Sequence, residues 1–270
     1  MLSVLGAAIL HASWNAILKS GADRYWTMTA LSIGMGAAAA VILPFTDAPS
    51  AAAWPYLIAS VAIHLCYNLL LVRMYAHGDF AQTYPVARGS SPVLIALGAF
   101  ALAGESLSPL KISGVCLVSG GIIALALENR HVNIRGVPTA LMTGLSIAAY
   151  SLVDGIGVRL SGTPLGYSAW MFALWALAMT AIYVAQAGAH DLIRSQKAML
   201  TNLGGGIVAG TGYTAVVWAM SLSPMGLVSA LRETSVLFAA IIARLFLKER
   251  LSATRLTACV VIAAGAVLLA

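Results

Sequence analysis

Ten apolar runs follow one another along the chain, near residues 2–18, 26–45, 53–72, 80–103, 108–127, 137–158, 165–187, 199–221, 225–247 and 252–270. Each is close to the about 20 residues a helix needs to cross the hydrocarbon of a bilayer, where a helix satisfies its own backbone and an open strand cannot. No single soluble core could hide so much apolar surface. The 270 residues are 60% hydrophobic and 9% charged, whereas a soluble domain carries about 25% charged residues. The sequence therefore predicts an all-α membrane protein with ten transmembrane helices, and its length counts helices rather than soluble domains. The first run continues from Leu2 to Leu18 without the basic start of a secretory signal, so it is read as helix one.

Polar breaks separate the runs: Lys19 to Tyr25, Asp47-Ala48-Pro49, His77-Gly78-Asp79, Gly104-Glu105-Ser106, and the longest, Glu128 to Arg135, which divides the chain nearly in half. The net charge of +6 comes from Lys and Arg scattered singly rather than gathered on a polar face, so a nucleic-acid partner is not expected. Cys66, Cys116 and Cys259 sit inside apolar runs without CxxC spacing and are expected to be small buried hydrophobes.

The halves resemble each other. A shift of 144 residues lays Arg88 on Arg232, Ser91 on Ser235, Glu105 on Glu249, Leu107 on Leu251, Ser108 on Ser252, Lys111 on Arg255 and Gly121 on Gly265. Apolar coincidences mean little in such a chain, but matched charges are scarce, with only 15 Lys and Arg and 9 Asp and Glu to place. The match predicts a duplication, with a first five-helix repeat over 1–127, a connecting loop over 128–136 and a second repeat over 137–270. Five spans per copy turn the second copy upside down, giving two inverted five-helix repeats, an architecture of secondary transporters. Both termini then share one side. Lys19, Arg24, Arg73, Arg130, Arg135, Arg194, Lys197, Lys248 and Arg250 lie in the odd-numbered loops, and Arg159 alone in the even-numbered ones. By charge bias that side is the periplasm.

Two segments carry a family likeness: Tyr84-Pro85-Val86-Ala87-Arg88-Gly89-Ser90-Ser91-Pro92 followed by Gly104-Glu105, and Ala230-Leu231-Arg232-Glu233-Thr234-Ser235 followed by Lys248-Glu249-Arg250. With them the chain resembles the drug/metabolite transporter superfamily, in its EamA-type branch of ten-helix transporters. The resemblance implies that the helix four and helix nine segments line a central substrate cavity and that the Gly-Glu element closes them, although the second copy reads Lys248-Glu249. It also implies cytoplasmic termini, against the charge count, so orientation stays open.

A charged side chain deep in a span faces protein or an aqueous cavity and tends to have a task. Arg88 and Arg232 lie roughly eight residues into their runs, about 12 Å deep, at equivalent positions in the repeat. There two guanidinium forks could hold a carboxylate, sulfonate or phosphonate; equally, Arg232 could form a helix-locking ion pair with Glu233 or another acid. Glu233 has Gly89 as its repeat mate, an asymmetry suited to carrying a proton, meeting an amino group, or pairing with a neighbouring Arg. His11 and Asn15 around Trp14, His64 and Asn68 around Tyr67, and Tyr150 with Asp154 each recur at i and i+4, so each pair shares one helix face. These faces fit a common aqueous lining, or interhelical hydrogen bonds that tie the bundle. Tyr84, Tyr213 and Trp218 join Trp14, Tyr67 and Tyr150 as candidate aromatic walls. Gly204-Gly205-Gly206 with Gly210 and Gly212 offers a small-residue face, including one GxxxG, for close helix packing.

The leading expectation is a secondary transporter, an exporter by resemblance, of a small organic metabolite that is anionic or zwitterionic. It would work by alternating access in a bacterial-type inner membrane. No Walker motif points to ATP hydrolysis, no HExxH or HxxxH points to a metal, and no cofactor is expected. A coupling proton and a homodimer stay open. Two other classes are weighed: a membrane-embedded enzyme using His11, His64 and Asp154 on a lipid-linked substrate, and a non-transporting assembly subunit.

Overall fold

The polar breaks become helix ends for local reasons. Asp23, Thr163, Ser195 and Ser252 each stand one residue before a helix, and each side chain accepts the backbone N–H three residues on, satisfying a donor that the first turn leaves without a partner. Gly104, Gly162 and Gly188 follow helices at φ of 66°, 73° and 87°, a left-handed conformation that strains residues with a Cβ.

The computed structural model describes residues 2–20, 23–77, 80–126, 136–192, 195–245 and 252–270. Between these ends run α1 (Leu2–Ser20), α2 (Arg24–Ile42), α3 (Trp54–His77), α4 (Phe80–Ala103), α5 (Pro109–Ala126), α6 (Val137–Ser161), α7 (Pro164–Ala187), α8 (Gln196–Leu222), α9 (Met225–Glu233), α10 (Ser235–Leu245) and α11 (Ala253–Leu269). No strand occurs among the described residues. Among the described residues seven segments, running from α2 through α8, are long and apolar enough to cross a membrane, and Ser3–Trp14 and Ala253–Leu269 are shorter apolar helices. The ninth run, expected to be continuous over 225–247, is instead two helices. The Thr234 N–H and hydroxyl both donate to the Leu231 carbonyl, at 3.1 and 2.7 Å, which tightens the turn and ends α9 at Glu233. Pro85 and Pro92 leave α4 unbroken. The Lys248-Glu249-Arg250 segment lies outside the described residues.

The main packing pairs are α5 with α11, α4 with α6, α2 with α7, α4 with α5, α2 with α8, α1 with α8 and α3 with α6. They are largely reciprocal when α1 to α5 are matched to α6, α7, α8, α9 with α10, and α11. Thus α1 on α8 answers α3 on α6, α2 on α8 answers α3 on α7, and α4 on α6 answers α1 on α9 and α10. One contact maps onto itself in detail. A Cβ on Gly114 would lie 3.0 Å from the Gly265 carbonyl oxygen, and one on Gly121 would lie 3.3 Å from that of Ala258; the 144-residue shift carries each pair into the other. Backbone approach is closest between α2 and α8, where a Cβ on Gly206 would overlap the Leu31 carbonyl and one on Gly34 that of Leu203. The GxxxG segment is therefore a packing surface.

The outside is as apolar as the inside: Val41, Phe45, Leu102, Leu177 and Val267 are exposed, while Arg88, Asp154, Arg232 and Glu233 are buried. A lipid-facing surface has this character, since nothing outside rewards polarity. The same logic corrects two expectations. Cys66 and Cys116 are exposed rather than buried, because a small hydrophobe is as well placed against lipid as in a core. Trp218 is 47% exposed and is no inner wall.

Candidate functional site

Helices α4 and α9 meet at a buried ion cluster. Arg88 Nε is 2.7 Å from Glu233 Oε2, with both side chains almost wholly buried. Arg232, the neighbour of Glu233 in sequence, reaches Oε1 only at 3.3 Å through Nη2 and 3.4 Å through Nε. Buried charges need partners, and here two guanidinium groups share one carboxylate. The short contact goes to Arg88, whose guanidinium carbon also lies 5.9 Å from the centre of the Tyr84 ring. The cluster carries one net positive charge, and Arg232 holds the longer contacts.

Beside this cluster is a cavity of about 60 Å³, counted as the space open to the centre of a water molecule. That is room for a handful of waters or one small solute. His11 and Trp14 of α1, Met28 and Met35 of α2, His64, Tyr67 and Asn68 of α3, Tyr150 of α6, Trp175 of α7, Tyr213 of α8 and Arg232 of α9 line it. Both halves of the chain therefore contribute. The walls are aromatic: His64 stacks on Tyr150 at 4.0 Å and 25°, with Trp175 4.7 Å and Tyr213 5.5 Å from the same imidazole. Hydrogen bonds assign the histidine tautomers. Trp14 Nε1 donates to His11 Nδ1 at 3.1 Å, which leaves the proton of a neutral His11 on Nε2, whereas His64 Nδ1 lies 3.0 Å from the Ser60 carbonyl and carries its own.

Asp154 stands behind this wall, fully buried. Tyr213 donates to its Oδ2 at 2.6 Å and Tyr167 to its Oδ1 at 3.1 Å. Tyr213 thus joins the cavity to a buried acid. Among the described residues no ion pair reaches Asp154.

The chain is clamped at the end of the bundle where α4, α6 and α8 finish. Gly104 turns the backbone, and Glu105 follows with its N–H on the Ala99 carbonyl at 3.1 Å. Its Oε2 accepts the first N–H of α9, that of Met225, at 2.8 Å. Its Oε1 pairs with Arg159 at 2.5 Å, and Arg159 donates to the carbonyls of Met220 and Ser223. Nearby, the Ser50 hydroxyl donates to the Leu160 carbonyl at 2.7 Å, tying the loop before α3 to the end of α6. The Gly-Glu element is therefore an anchor for a helix N-terminus, where negative charge is favourable.

Of the residues singled out in the sequence, His11, Trp14, His64, Tyr67, Asn68, Tyr150 and Arg232 line the cavity together. Arg88 and Glu233 form the ion cluster beside it, Tyr84 lies against Arg88, and Asp154 is reached through Tyr213. The side chain of Asn15 lies outside the described residues. Trp175, Met28 and Met35 were not singled out: Trp175 has only apolar residues three and four positions away, and Met28 and Met35 are plain apolar side chains in an apolar run.

The EamA-like transporter family model matches residues 134–270, half of the chain. A solved crystal structure, described simply as that of a protein, aligns with a TM-score of 0.78 at 18% identity, covering 99% of this chain and 94% of that chain. At this identity the likeness is one of fold. No curated protein matches.

Proposed function

The chain belongs to the EamA-like transporter family, and on that premise we propose a secondary transporter that carries a small anionic or zwitterionic metabolite by alternating access around the central cavity. It is a multi-pass membrane protein of a family that is typically non-enzymatic. The observation that carries the proposal is the cavity, lined from both halves of the chain, with Arg232 in its wall. A guanidinium kept in a small aromatic space and only loosely paired is suited to an anionic group.

We further read the chain as ten spans in two inverted repeats, 1–127 and 137–270. The matched charges and the reciprocal helix pairs support this, as does the Gly114–Gly265 contact with its counterpart Gly121–Ala258. Substrate contact falls to Arg232, with Arg88 and Glu233 fixing its position. A coupling proton would be carried by Asp154, which Tyr213 connects to the cavity. The transport direction taken from the family likeness is export.

Purified protein in sealed vesicles tests this reading. Solute movement without covalent change is the expected result. A new product would favour the enzyme acting through His11, His64 and Asp154, and neither movement nor product would favour an assembly subunit. Reporter fusions at both ends check the span count, since termini on opposite sides would rule out two five-span halves.

A further inference from the structure

We propose that the cavity selects a small monocarboxylate with a flat apolar body; this rests on the transporter reading and narrows its substrate class. Charge comes first. Glu233 gives its short contact to Arg88 and only longer ones to Arg232, so two guanidinium groups share one carboxylate and the cluster beside the cavity keeps one net positive charge. One surplus charge suits a single negative group better than a phosphonate or dicarboxylate bearing two.

Unused hydrogen-bond donors point the same way. Trp175 Nε1 and the Asn68 side-chain nitrogen have no hydrogen-bond partner, and the residues are only 7% and 1% exposed, yet both line the cavity. An indole N–H can only donate, and so can a guanidinium. Buried polar groups left without partners are rare in folded proteins and call for an explanation. An acceptor with two oxygens, brought by the ligand, supplies it: a carboxylate can take Arg232 on one side and an indole or amide N–H on the other.

The remaining lining excludes an ammonium. Among the described residues no Asp or Glu lines the cavity. Glu233 is engaged by Arg88 and Arg232, and both oxygens of Asp154 accept tyrosine hydroxyls. In so small a space an amino group would lie near Arg232 with no counter-ion, which disfavours zwitterions and cations. Shape follows from the walls. The rings of His64, Tyr150, Trp175 and Tyr213 present faces and edges with centroids 4.0 to 6.0 Å apart, a lining that a planar apolar body fills by stacking.

The test uses the full chain in detergent with four probes of one shape: benzoate, benzamide, benzylamine and L-phenylalanine, with binding read by calorimetry. Benzoate is expected to bind saturably and at least about tenfold more tightly than the other three, a margin of about 1.4 kcal/mol. Arg232→Gln should abolish this binding. Because that variant can also lose its fold, Trp175→Phe and Asn68→Leu carry the argument. Each, in protein that remains monodisperse, should weaken benzoate several-fold. Equal binding of benzamide and benzoate, or tighter binding of phenylalanine, would overturn the monocarboxylate assignment. If no probe binds while vesicles carry some other solute, the assignment fails and the transporter reading stands. If benzoate binds but vesicles carry no solute, the assignment holds and the transporter reading fails.

Discussion

Helix α4 and the α9–α10 pair, which correspond under the 144-residue shift, hold a buried Arg in different ways. Both bring an Arg inward at matched positions, 88 and 232. The next residue is Gly89 in one and Glu233 in the other. Gly89 is packed against α5 so closely that a Cβ would lie 2.6 Å from Ile123 Cγ1 and 2.9 Å from the Ser119 carbonyl oxygen. No acid fits there. On the other side the helix stops at Glu233, and its carboxylate crosses to Arg88. The two matched segments thus differ in charge, and Arg232 is left with only the longer contacts to Glu233.

The largest expected effect follows from removing the shared acid. Glu233→Gln leaves two buried guanidinium groups without a carboxylate and should destabilise the protein by about 3–5 kcal/mol; thermal unfolding in detergent measures it, and a loss well under 1 kcal/mol would remove Glu233 from its place as counter-ion. The arginines should then separate. Arg88→Gln loses the short contact and should lower stability by about 2–3 kcal/mol. Arg232→Gln should change stability less but reduce transport by about tenfold or more, and Arg232→Lys should also impair transport, because an ammonium does not reproduce the planar fork. Equal stability losses with equal transport would erase the distinction between the two arginines. Next comes packing: Gly89→Ala forces α4 away from α5 and should cost about 1–3 kcal/mol without altering ligand selectivity. The smallest effect is expected at the surface clamp. Glu105→Gln keeps the shape but weakens the hold on the α9 N-terminus, for about 1 kcal/mol, and a wild-type melting curve would show that Arg159 and the backbone suffice there.

Much of this fold is written in local chemistry. The apolar runs and the polar breaks, such as Lys19 to Tyr25 and Gly104-Glu105-Ser106, are each visible as residue types along the chain. The i and i+4 polar pairs led to His11, His64, Asn68 and Tyr150, because a helix face is a local property. What escaped depends on partners distant in sequence. The break at Thr234 comes from a side chain competing for a backbone carbonyl, and Thr in an apolar run carries no mark of which it will do. Trp175 belongs to the site because α7 turns that face inward, while Trp218 is excluded because α8 turns its face out. In a chain apolar on every side, hydrophobic patterning does not tell inside from outside, and the same blindness hid the exposure of Cys66 and Cys116.

The shortness of α9 has a mechanical meaning. It is nine residues long, about 13 Å at 1.5 Å per residue, with Glu105 holding the N–H of its first residue and Glu233 as its last. A helix of two and a half turns does not bend appreciably; it behaves as a strut. The clamp at the surface and the ion cluster in the interior are therefore opposite ends of one lever. Between the Arg159–Glu105 pair and the Glu233 carboxylate, which meets both Arg88 and Arg232, there stands one short, stiff element of the chain.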